Sequence, residues 1–171
     1  MCVYLDTGWA SRDWMDRVTK AEQRAKQYGF ETHRATSIGF MPLARLKKAF
    51  PRNGMQFCTE ELKIKPFTIF VDQIDPDGEA TIAVGVRREE SQERSQWPEH
   101  IENSERHGGR DVWSPLVRVG ETERDELVRR AGFEPLPHRS KECFPCVNSN
   151  RADLRLLTED RIAEIEAFER E

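Results

Sequence analysis

Nowhere in the 171 residues is there an apolar run approaching the roughly 20 residues a membrane-crossing helix needs. A secretory leader is missing from the opening as well, since Met1 to Asp6 has neither a basic region nor a long apolar core. Positive charge is not in excess: 27 Lys and Arg face 31 Asp and Glu, a formal net charge of -4. That balance excludes a protein that coats nucleic acid by bulk electrostatics, so any anion must be bound by local clusters of Arg and Lys. Histidine is scarce, with four in the chain, and His33, His100 and His107 sit at no metal-ligand spacing. Internal repeats and low-complexity linkers are lacking too. The expectation is a cytoplasmic protein with no membrane partner, forming one domain over 1–171. With 37% hydrophobic and 34% charged residues, it can bury a single core.

What is present is a mixed α/β pattern. Cys2-Val3-Tyr4-Leu5 reads as a short buried strand that ends in the polar turn Asp6-Thr7-Gly8. Ser11 or Asp13 caps a helix to about Tyr28, Gly29 stops it, and Phe30 to Ala35 gives a second strand. Strand, helix, glycine, strand is the signature of a βαβ unit with parallel strands. Pro42 to Phe50 reads as a short basic helix, and Leu62 to Asp72 as helical from Pro66 onward. Ala80 to Val86 is the most apolar β-like run. The polar stretch 96–110 reads as a mobile loop. Thr122 caps a helix to about Ala131, and Thr158 opens a C-terminal helix carrying Ile162, Ile165 and Phe168.

Chemistry concentrates in three places. Cys58 opens the run Cys58-Thr59-Glu60-Glu61-Leu62-Lys63-Ile64-Lys65-Pro66, and a CxxC stands at Cys143-Phe144-Pro145-Cys146. Three thiolates from two distant segments can hold a metal or an iron-sulfur cluster and leave a coordination position free. The other readings of the same residues are a Cys143–Cys146 redox disulfide, zinc with His138 as fourth ligand, or plain buried cysteine. A helix N-terminus at the CxxC would favour thiolates there.

The second place is Gly85 to Arg94, just past a strand end, where the guanidinium forks of Arg87, Arg88 and Arg94 suit phosphate or sulfate and Ser91 adds a hydroxyl. Gly85 would let the backbone approach such a ligand. The competing reading is a solvated stretch of ordinary Glu–Arg pairs. Third, Lys63 and Lys65 stand beside Cys58, where they could neutralise an anion, and Asp6 ends a strand, where it could accept hydrogen bonds from a ligand or close an Asx turn.

In this order the segments resemble the phosphoadenosine phosphosulfate reductase family, of the adenine nucleotide α-hydrolase-like superfamily. Val3 to Gly8 is similar to its second strand and Asp-Thr-Gly turn, and Cys58 to Pro66 to its Cys, Leu-Lys and Lys-Pro segment. Gly85 to Arg94 is similar to its Gly-x-Arg-x-x-x-Ser-x-x-Arg run, and Pro115-Leu116 and the CxxC to its later landmarks. The resemblance implies a Rossmann-like parallel sheet flanked by helices. It implies an adenine nucleotide or sulfonucleotide bound near Asp6, Lys63, Lys65, Gly85, Arg87, Arg88, Ser91 and Arg94, and a 4Fe-4S cluster on Cys58, Cys143 and Cys146.

Zinc is the alternative occupant of those cysteines. The expected activity is sulfonucleotide reduction or nucleotide-dependent sulfur transfer, with nucleic acid a partner only as a thiolation substrate. The alternative is an inactive, zinc-stapled binding or assembly module. Two family features have no counterpart in the sequence: a Ser-Gly-Gly-x-Asp-Ser phosphate loop and a cysteine nucleophile near the C-terminus. No catalytic residue is therefore assigned, and the expectation is an N-terminally truncated chain, one completed by a separate loop-bearing chain, or an inactive relative.

Overall fold

The opening apolar run forms strand β1 (Cys2–Asp6) in the computed structural model, which describes residues 1–52, 54–138 and 140–171. Helix α1 (Arg12–Gln27) comes next, and Gly29, at φ 80°, turns the chain into β2 (Thr32–Thr36). The two strands pair in parallel, from Cys2 opposite Thr32 to Asp6 opposite Thr36, and α1 packs on both. A parallel pair cannot be closed by a tight turn, so the helix between them is the connection that the sequence pattern requires. The strands differ in character. β1 is largely apolar, whereas β2 carries Arg34, whose guanidinium reaches Glu22 of α1 at 2.7 Å.

These elements belong to one of two compact units, Met1–Phe67 together with Leu136–Glu171. Its core gathers around Trp9 and Leu62, each 1% exposed, with Phe40, Met41 and Leu43. Burying side chains of this size contributes about 2–3 kcal/mol each. Phe40, Met41 and Leu43 come from α2 (Phe40–Lys47), which starts two residues before Pro42. Proline is tolerated there because a first-turn N–H has no intrahelical acceptor to lose.

Next comes one continuous helical stretch, α3 (Phe57–Thr59), a π turn (Glu60–Ile64) and α4 (Lys65–Ile74), which begins earlier than Pro66. Pro66 explains the π turn. It has no N–H for the Leu62 carbonyl and its ring crowds that group, while the Lys65 N–H bonds five residues back to the Glu60 carbonyl. At the other end of the chain lie α6 (Arg151–Leu154) and α7 (Glu159–Glu169), where the Thr158 hydroxyl caps the Arg161 N–H. Ile165 and Phe168 of α7 pack on the core, Phe168 edge-on to Phe50 at 4.5 Å.

The second unit is Thr68–Pro135. Its sheet has the order β3-β5-β4, with β3 (Ile82–Ala83) parallel and β4 (His100–Ser104) antiparallel to β5 (Arg110–Trp113). Only two residues of the run Ala80–Val86 are strand, because pairing with the four-residue β5 sets its length. Within 96–110, read as a loop, the structure places β4 and a 3-10 turn (Glu105–His107). β4 reads His-Ile-Glu-Asn-Ser, with one aliphatic residue, so it carries no alternation to betray it, and its partner supplies the order.

Arg110, 2% exposed, is the buried polar centre of this unit. It donates to Asp75 and Asp72, each at 2.7 Å, and to the Asp75 carbonyl. Helix α5 (Glu121–Arg130) completes the unit, capped by Gly120 rather than Thr122. The class is thus mixed α/β, with small parallel and mixed sheets and flanking helices. Among the described residues no helix is long and apolar enough to cross a membrane.

Candidate functional site

The end of β1 is a turn held by its own side chain: Asp6 Oδ1 accepts the Gly8 N–H at 2.8 Å, the Asx-turn use of this carboxylate. Gly8 sits at φ 63°, a conformation that costs other residues strain. Beyond this turn the chain lies along the CxxC loop. Ser11 N–H donates to the Lys141 carbonyl at 2.9 Å, and Phe144 N–H to the Trp9 carbonyl at 3.0 Å. Thr7 Oγ1, fully buried, contacts the Glu142 carbonyl at 3.4 Å and Cys143 Sγ at 4.0 Å. The Trp9 indole N–H reaches the Pro145 carbonyl at 3.1 Å, and Lys141 Nζ pairs with Asp13 at 2.9 Å. The Phe144–Pro145 bond is cis. A loop without regular structure is thereby fixed in place by the end of a strand.

Cys58 comes to the same place from α3. Both Cys58 and Cys143 pack against the aromatic core, and the thiol of Cys146 raises the pKa of each. Burial is the larger cause in both cases, and it pushes Cys143 up to about 11. Lys63, on the π turn, opposes this at both thiols. Its Nζ lies 3.0 Å from Glu142 Oε1. Burial alone would lower the Lys63 pKa, but the Glu142 carboxylate and the Cys143 and Cys146 thiols outweigh it and hold the ammonium charged. Gln56 and Asn148, their side-chain amides 3.5 Å apart, also tie the two segments, and Ser149 Oγ accepts the Cys146 N–H at 3.0 Å.

The structure therefore brings Cys58, Cys143, Cys146 and Lys63 together. Lys65 stands apart, paired with Glu61 at 3.0 Å. Among the described residues no group of three or more His, Cys, Asp or Glu is arranged to hold a metal ion. By chemistry, the donor set still fits a thiolate-bound group: three soft sulfurs and one charge-compensating ammonium in a largely apolar surround. His138 shares a small depression with Cys143, lined also by Ser149 and Asp153.

One expectation is corrected here. The CxxC does not open a helix, since α6 begins at Arg151 and its first N–H groups are capped by Asn150. Burial is the largest cause of the raised Cys143 pKa. The sequence reading also missed Tyr4 and Glu142. The phenol of Tyr4 is pushed up by burial and then by Glu142, Asp6 and Cys143, which puts it at the edge of the same group.

The arginine run lies in the second unit and forms two 3-10 turns, Arg88–Glu90 and Gln92–Arg94. Its charges are matched internally. Arg87 lies 3.5 Å from Glu89 and 3.9 Å from Glu90, and donates to the Val119 carbonyl at 3.4 Å. Arg88 donates to the Trp97 carbonyl at 3.0 Å, Arg94 pairs closely with Glu90, and Ser91 Oγ caps the Arg94 N–H. At Gly85 φ is not positive and an added Cβ would meet nothing within 4 Å, so local geometry does not require glycine there.

No protein-family model matches the chain. It is similar, at 26% identity over 147 residues, to an uncharacterised 37.8 kDa protein in the gpa 5' region of Escherichia phage 186. The match covers 82% of this chain and 43% of the phage protein, so the chain spans less than half the length of that relative.

Proposed function

We propose that the first unit holds an iron-sulfur cluster on Cys58, Cys143 and Cys146, and that the chain is a sulfonucleotide reductase-like or nucleotide-dependent sulfur-transfer domain taking an adenine nucleotide. The observation that carries this reading is that Cys58 and Cys143, from two distant segments, pack on one core with Cys146 and Lys63 near enough to act on both. A cluster bound by three protein thiolates offers one iron to an exogenous sulfur or substrate group. The chain's own residues supply the setting. Lys63, held by Glu142, offsets the charge that three thiolates would place in an apolar pocket. Thr7 and Ser149 fix the backbone on either side of the CxxC.

At the arginine run, phosphate or sulfate oxygens would take the place of Glu90 on Arg94 and Arg87, while Arg88 stays anchored to its carbonyl. A phosphate loop would come from another segment or a separate chain.

The second reading, a zinc-stapled binding or assembly module, draws on one observation: Cys58 and Cys143 pack as part of the aromatic core, as structural ligands do. Anaerobic purification followed by iron, sulfide and zinc analysis separates the two. The first expects iron and sulfide with a broad absorption near roughly 400 nm. Stoichiometric zinc without iron would overturn it in favour of the second.

A further inference from the structure

Trp9 is among the most buried residues of the chain, yet it belongs to no helix or strand. Its ring stacks on Phe40 with centroids 4.5 Å apart and planes 18° apart, and the Arg161 guanidinium lies 3.7 Å from its ring centre. Arg161 reaches there from α7 and is itself held by the Ala10 carbonyl at 3.3 Å and Glu164 at 3.1 Å. A buried indole N–H needs an acceptor, and here the acceptor is the Pro145 carbonyl. The Trp9 backbone carbonyl meanwhile takes the Phe144 N–H. Trp9 therefore grips both residues that separate Cys143 from Cys146, once through its main chain and once through its side chain.

We infer that Trp9, with Arg161 of α7 set against it, is the positioning residue that pre-organises the Cys143–Cys146 loop to receive a metal. This rests on the reading of Cys58, Cys143 and Cys146 as one ligand set. Pre-organisation raises affinity because the loop need not be ordered when the metal arrives, and groups behind the ligands commonly control binding in this way. The C-terminal helix thus acts on the site through the indole without supplying a ligand.

Cobalt(II) is the probe, titrated into the reduced, metal-free full chain under anaerobic conditions and followed by the thiolate-to-cobalt charge-transfer band. Trp9→Phe keeps an aromatic ring against Phe40 but loses the N–H donor and part of the indole's packing volume. It is expected to weaken cobalt binding about tenfold. Arg161→Gln, at a partly exposed position, is expected to weaken it about fivefold. A purely structural role would lower the thermal midpoint of the metal-free protein but leave cobalt affinity unchanged well below that temperature. Affinities equal to wild type in both variants overturn the inference. If Trp9→Phe does not fold, an unchanged affinity in Arg161→Gln overturns it alone. A wild type that gives no thiolate-cobalt band overturns the ligand-set reading, and the inference with it.

Discussion

The two units handle buried polarity in opposite ways. In Thr68–Pro135 the buried charge is a guanidinium, and it arrives with its partners: Arg110 is enclosed by Asp72 and Asp75, and Arg87 and Arg94 face Glu89 and Glu90. In Met1–Phe67 with Leu136–Glu171 the polarity set against the core includes two thiols, Cys58 and Cys143, which burial pushes up, Cys143 to about 11. A satisfied ion pair is chemically quiet, and removing one partner is costly. The Cys143 thiol, kept neutral by burial beside a charged lysine, is not self-satisfied in the same sense. It holds its ionisation in reserve for something that can displace the proton, as a metal does.

Variants test this contrast, the most drastic first. Cys146→Ser removes the thiol that influences both Cys58 and Cys143, and is expected to abolish iron retention after anaerobic purification. Full retention would show that the three do not act as one set.

Arg110→Met takes the guanidinium from both Asp72 and Asp75 and is expected to lower the denaturant midpoint measurably. The pair also sets an acid limit. Hydrogen bonding from Arg110 holds the Asp75 carboxyl below its usual range, so its stabilisation is complete above the ordinary carboxylate pKa of about 4 and is lost as pH falls through the lower folded value. The difference between wild type and Arg110→Met should therefore shrink as pH drops below about 4. A difference that stays constant down to about pH 2 would refute the assignment.

The last comparison concerns the arginine run, where Glu90→Gln has the smallest effect of all. Glu90→Gln weakens the internal pairing of Arg87 and Arg94, and is expected to tighten adenine nucleotide binding about threefold by calorimetry. Arg87→Ala is expected to abolish that binding. If the wild type binds no adenine nucleotide, the anion reading of this run fails and the pairs are simply structural.

How much of this was legible beforehand depends on physical range. The βαβ opening was readable because apolar strand, helix periodicity and the stop at Gly29 are local signals. The three cysteines were readable as a set from residue type and surroundings, but their meeting depends on contacts between segments far apart in sequence. β4 was unreadable, since His100–Ser104 becomes a strand only by pairing with β5. The length of β3 failed for the same reason. Trp9 was visible only as a residue close to a candidate turn, and nothing in the sequence around Arg161 pointed to an indole 152 positions away in the chain. A helix start at the CxxC was not realised, because Asn150 caps a helix that begins at Arg151.

The π turn at Glu60–Ile64 has a consequence for how the chain can tolerate change. Each residue of an α-helix advances the side-chain direction by about 100°, whereas the wider turn spreads one extra residue over nearly the same rotation, so Cys58 before it and Lys65 after it keep roughly the phase of an uninterrupted helix. Deleting one residue there, together with Pro66→Ala, would let the stretch close as regular α-helix. Cys58 would stay nearly in place around the axis, while the residues within the turn, Lys63 among them, would move. Losing the extra residue should therefore redirect the Lys63 ammonium while leaving the Cys58 thiol facing as before.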